Sequence, residues 1–199
     1  MATLRAVVEI EPWAGGDDAP WPVETAEPYR WEVLDGSTPP ATIGTVMATL
    51  AAWCRPEDAD EDHRPTAVEA LRWIADAGYL VLNAGIRAAD GEAAVNPGCC
   101  ADLEGWRDWP DSWQGHPKPQ IKRDADGLSI REDGESQNPV TLPPGSLPGL
   151  LAGVREDLIA FLGAVERWTA DVCADAELAE AVVANIDRHV VITAPLEQP

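Results

Sequence analysis

Apolar and polar positions change period several times along this chain, and each change marks an element. Residues 3–10, TLRAVVEI, are rich in β-branched side chains and predict a first strand. Residues 11–27 hold prolines, paired glycines and Asp17-Asp18, so they read as a loop. YRWEVL at 29–34 alternates and predicts a second strand ending at Asp35-Gly36, able to pair with the first as a hairpin with a long connection. Ile43, Val46, Met47, Leu50, Trp53 and Cys54 then fall on one stripe of a 3.6-residue period. They predict a helix that starts near Thr38, Pro39 and Pro40 and stops at Pro56. A second helix opens at Thr66, where Glu69 stands three residues on as a capping box requires, and it stops near Gly78.

Hairpins follow. Tyr79–Arg87 and Glu92–Val95 flank Ala88-Ala89-Asp90-Gly91, a favoured turn sequence. A short helix is expected from Asp102 to Trp109, stopped by Pro110. QIKR and LSIR within 119–131 form another hairpin across Asp124-Ala125-Asp126-Gly127. Residues 132–149 are polar and proline-rich and read as an internal linker. From Leu150 to Val172 a helical stripe of Leu, Val, Phe and Trp runs unbroken, and Leu178, Val182, Ile186 and Val190 mark a last helix. The expected architecture is therefore a single α+β domain. A body at 1–131 carries a small, largely antiparallel sheet packed on amphipathic helices, with a linker-like stretch at 132–149 and C-terminal helices at 150–192.

Composition sharpens the picture of the surface. The 199 residues contain 35 acids against 14 bases, a formal net charge of −21. That balance excludes a protein that grips nucleic acid or an anionic membrane through a basic footprint. The N-terminus has neither the basic start nor the apolar run of a secretory signal, and no stretch approaches a membrane span. A cytoplasmic protein with reduced thiols is expected. The sequence sets no oligomeric state.

At Gly98-Cys99-Cys100-Ala101-Asp102-Leu103-Glu104-Gly105-Trp106-Arg107-Asp108-Trp109, followed by Gly115-His116-Pro117, the chain resembles an uncharacterised group of bacterial proteins. These share a hairpin leading into a Gly-Cys-Cys, Leu, Trp, Trp segment. The resemblance covers residues 78–123 and implies no established activity. Where some of these proteins carry a further cysteine, this chain has Ala101.

Candidate chemistry is sparse. No nucleotide-binding, nucleophile-elbow or zinc-protease motif occurs, and no cofactor is implied. Cys99 and Cys100 precede an expected helix start, where a thiolate is favoured, and with His116 they make a candidate thiol-dependent site. Zinc would need knuckle spacing that Cys54, Cys99, Cys100 and Cys173 lack, and adjacent cysteines normally point apart. Both are therefore read as core residues, as is Trp106, while Trp113 is a candidate surface anchor. The sharpest surface feature is Glu57-Asp58-Ala59-Asp60-Glu61-Asp62, five acids in six residues. It reads as a solvated loop or as a docking surface for a basic protein partner. The functional expectation is a non-enzymatic acidic binding module, such as an immunity-type inhibitor of a basic toxin or nuclease. It would use Glu57, Asp58, Asp60, Glu61, Asp62, Trp113 and His116. The alternatives are a DNA mimic, or an enzyme using Cys99 or Cys100 with His116.

Overall fold

The computed structural model describes residues 1–10, 19–24, 29–60, 62–112, 114–132 and 138–196, without the side chain of Asp124. Among them are two antiparallel sheets and four α-helices, an α+β architecture. The first sheet is centred on β1 (Thr3–Ile10). One edge of β1 pairs with β2 (Arg30–Val33), with Val7 opposite Val33. The other edge pairs with β3 (Ala84–Asp90), with Ala6 opposite Ile86, and β3 pairs in turn with β4 (Ala93–Val95). The hairpin expected at 79–97 is present, but its turn is Gly91-Glu92 and β3 begins only at Ala84.

Alternation along β1 sorts the two faces of this sheet. Leu4, Ala6, Val8 and Ile10, with Ala84, Ile86 and Ala88 across the ladder, enter the main core. Helix α3 (Leu147–Cys173) packs on this face through Leu151, Val154, Leu158 and Phe161. Helix α4 (Ala176–Val190) returns antiparallel to α3 and covers α2 (Ala67–Asp76). Thr66 Oγ1 accepts from the Glu69 amide at 3.3 Å while the Glu69 carboxylate accepts from the Thr66 amide at 2.8 Å, so the capping box is complete.

Helix α1 (Pro40–Trp53) departs from the single-stripe expectation, because every residue from Thr42 to Ala51 is buried. Residues 21–24 cross it as a strap. Trp21 Nε1 donates to the Gly44 carbonyl at 2.8 Å, and a Cβ at Gly44 would lie 2.3 Å from the Pro22 oxygen. The Trp21 ring meets Trp168 edge-on at 5.2 Å, joining strap and α3. The strap's bonds reach α1 at Thr42, Gly44 and Thr45, near its start. At the other end of the helix Trp53, expected in the apolar stripe, is 54% exposed.

Two further expectations need correction. The segment read as a linker at 132–149 contains β7 (Val140–Leu142), which pairs with β6 (Gly127–Arg131) beside β5 (Gln120–Asp124). Val140 and Leu142 are fully buried, so β7 belongs to the core, and a three-residue strand is too short to show a period. The helix expected at 102–109 is only a single 3₁₀ turn, Trp106–Asp108.

That turn fastens the segment that follows α4. Trp106, 1% exposed, donates from Nε1 to the Val190 carbonyl at 2.9 Å. Arg107 donates to the carbonyls of Val191 (2.7 Å), Ala194 (3.2 Å) and Pro195, and Arg155 of α3 reaches those of Ile192, Thr193 and Ala194. Asp187 accepts from the amides of Ile192 and Thr193, both at 2.8 Å. Trp106→Ala is expected to cost about 3–5 kcal/mol, the usual range for emptying an aromatic core site. Trp106→Phe should cost less, about 1–3 kcal/mol, by leaving the Val190 carbonyl unpaired. Denaturant midpoints check both, and a Trp106→Ala midpoint equal to wild type contradicts the assignment.

Candidate functional site

The acidic stretch lies in the connection from α1 to α2, and its backbone is wound around one cation. Arg55 donates to the carbonyls of Asp60 and His63, the latter at 3.2 Å. Its guanidinium also stands 5.9 Å over the Trp73 ring of α2. Two turns fold the chain here, with the Ala59 amide on the Pro56 carbonyl at 3.1 Å and the His63 amide on that of Asp60 at 2.9 Å. Because the main chain occupies Arg55, the carboxylates are left outside: Glu57, Asp58, Asp60 and Asp62 are all exposed. Glu61 lies outside the described residues.

His63 closes the far side of the connection, its Nε2 3.6 Å from Glu69 Oε2. The Thr66 amide and hydroxyl hold the Glu69 carboxyl below the usual carboxylate range. Trp53 stands at the near side. An exposed tryptophan four residues before the first of four exposed carboxylates supplies the aromatic anchor and charged border found at protein interfaces. Sequence periodicity hid Trp53, because only the placement of the strap separates it from the buried stripe.

His116 belongs to a different surface. Val7 and Gly85, opposite one another in the ladder, face away from the main core. A Cβ at Gly85 would lie 2.8 Å from Pro97 and 3.4 Å from Ala101, so the Pro97–Ala101 loop covers this face. The loop is pinned to a second segment: the Gly98 amide donates to the Gln114 carbonyl at 2.8 Å, and Cys99 and His116 exchange both main-chain bonds at 2.9 and 2.8 Å. Close approach requires two glycines. A Cβ at Gly98 would fall 2.4 Å from the His116 nitrogen, and one at Gly115, where φ is 77°, would fall 2.3 Å from the Gly98 oxygen. Trp113 lies outside the described residues.

Cys99 and Cys100 are exposed, which corrects their reading as core residues. The buried residues of this loop are Pro97, Gly98 and Ala101. The structure does bring Cys99 and Cys100 to His116, but through the backbone. The Cys99 thiol donates to the His116 carbonyl oxygen at 2.9 Å, so its proton is held there rather than by the imidazole. A nucleophile–base pair needs the ring at that position. Among the described residues no group of three or more His, Cys, Asp or Glu is arranged to hold a metal ion, and no helix is long and apolar enough to cross a membrane.

No family model, curated protein or solved structure matches the chain.

Gly98→Ala tests the second surface. The added methyl collides with the His116 and Pro117 backbone, and overpacking of this kind costs about 1–3 kcal/mol. The variant should unfold at lower denaturant and be cut faster by protease between residues 98 and 116. Unchanged stability and cleavage would show that the loop is not clamped as described.

Proposed function

We propose that this protein is a non-enzymatic acidic binding module that docks on the basic face of a protein partner, as an immunity-type inhibitor of a basic toxin or nuclease would. The observation that carries this is exposed Trp53 at the end of α1, followed by an Arg55-bound backbone that leaves the carboxylates of Glu57, Asp58, Asp60 and Asp62 exposed. A preformed loop loses little conformational entropy on binding. The net charge of −21 favours encounter with a cationic surface at long range. In this reading the carboxylates set the association rate, and Trp53 supplies buried contact that slows dissociation.

The partner is to be identified by co-purification at low ionic strength and its binding measured with the purified pair. Neutralising Glu57, Asp58, Asp60, Glu61 and Asp62 to their amides should slow association about 10-fold or more at low salt. The difference should fade near 1 M salt, where the screening length falls to about 3 Å. Stability should hardly change, since exposed charges contribute little to it. Trp53→Ala should raise the dissociation rate by about 30-fold, equivalent to a hot spot of about 2 kcal/mol. An unchanged association rate in the neutralised variant rejects the acidic loop as the docking surface and directs attention to His116 and Trp113.

A further inference from the structure

Adjacent side chains in extended backbone point to opposite faces, so neighbouring cysteines ordinarily keep their sulfurs apart. Here Cys100 takes a left-handed conformation, φ 59°, and the two sulfurs stand 4.0 Å from each other. Both residues are exposed. The main chain beneath them is held by the paired bonds between Cys99 and His116, so the thiols are presented on a fixed base. We propose that Cys99 and Cys100 form a reversible dithiol–disulfide couple, oxidised by a low-molecular-weight disulfide of the glutathione type. This is independent of the docking surface proposed above.

The exchange balances in two steps. The Cys100 thiol loses its proton to solvent, and its thiolate attacks one sulfur of oxidised glutathione. A bond forms between Cys100 and glutathionyl sulfur, and the first glutathione leaves as thiolate. The Cys99 thiol then loses its proton and attacks the Cys100 sulfur of the mixed disulfide. The Cys99–Cys100 bond forms and the second glutathione leaves. Two cysteine thiols are oxidised to one disulfide, and one glutathione disulfide is reduced to two thiols. The exchange balances equally with Cys99 as the first nucleophile, since both thiols are engaged: that of Cys100 on the Cys99 sulfur, that of Cys99 on the His116 carbonyl. That hydrogen bond disappears on oxidation, since Cys99 no longer has a proton to donate.

The bridge is built for reversal. Adjacent α-carbons are about 3.8 Å apart, below the roughly 4.4–6.8 Å span of ordinary disulfides, so the ring is strained. Exposed, strained disulfides are the readily reduced ones. The other two cysteines are set apart from this chemistry. Cys54 is half-buried, and burial pushes its thiol up to about 11. Cys173 is half-buried and donates to the Thr169 carbonyl at 3.0 Å.

The native, reduced protein is to be incubated with oxidised glutathione, quenched with an alkylating reagent and cut with trypsin. Cleavage after Arg87 and Arg107 releases one peptide carrying Cys99 and Cys100 alone. The expected wild-type peptide lacks two hydrogens and carries neither alkyl group nor glutathione, and excess reduced glutathione restores it. In Cys99→Ser and Cys100→Ser, which alter only an exposed sulfur, the remaining cysteine should retain a glutathione adduct. A wild-type peptide that keeps either an adduct or two alkylatable thiols overturns the proposal.

Discussion

Where the few cations go decides much of this structure. Against 35 acids the chain has 14 bases, twelve of them arginine. Four of these, Arg55, Arg107, Arg155 and Arg188, are turned onto main-chain carbonyls. Such carbonyls are left over where helices and turns end, and a guanidinium fork can satisfy two or three at once. Arg107 and Arg155 together fasten residues 191–195 beyond α4, and Arg55 organises the loop between α1 and α2. Arginines bonded in this way order irregular chain and are not spent on neutralising the exposed Glu57, Asp58, Asp60 and Asp62. The acidic exterior and the ordered loops thus have one origin.

Other arginines among the described residues do meet carboxylates, at Asp35, Asp157, Glu24, Glu32 and Asp111. Arg5 of β1 lies between Asp35, 2.5 Å from its Nη2, and Asp157 of α3, 2.8 Å from its Nε. The two acids respond differently. Burial raises the Asp35 carboxyl, but Ser37 and Arg5 outweigh it and hold it below the usual range. Burial dominates at Asp157 and pushes its carboxyl up, with Asp35 and Glu156 adding to the rise against the pull of Arg5. Glu24 is held down chiefly by its hydrogen bond from Arg30. A depressed carboxyl lends stability above its unfolded-state value and loses it as pH falls through the folded one. A raised carboxyl does the reverse, so its penalty sets in as pH rises from the unfolded to the folded value and persists above it. Acidification therefore relieves Asp157 while weakening Asp35 and Glu24. Since all three are partly hydrated, neither effect dominates the fold, which rests on the apolar core of β1, β3 and α3.

Local signals were legible where one short segment carries its own instruction. β1 spans the expected residues 3–10, and Thr66 and Glu69 form the expected capping box. The ladder of β5 and β6 extends the expected hairpin by one residue on each side. What the sequence concealed depends on distant chain. The strap from Trp21 to Glu24 buries the far side of α1 and stops short of Trp53, a boundary that no periodicity within α1 records. The exposure of Cys99 and Cys100 follows from the left-handed Cys100 and from the approach of Gly115 and His116, seventeen residues along from Cys99 in the latter case. His116 and the acidic loop, both expected among the binding residues, sit on surfaces held by different elements.

In the proposed mode of binding, a basic partner meets the end of α1 and the Arg55-ordered connection. Amide hydrogen exchange along the chain, measured with and without the purified partner, tests it most directly. The account predicts that binding slows exchange from Trp53 through Thr66 and leaves residues 96–117 unchanged. Protection confined to 96–117, or to the outer faces of α3 and α4, would contradict it.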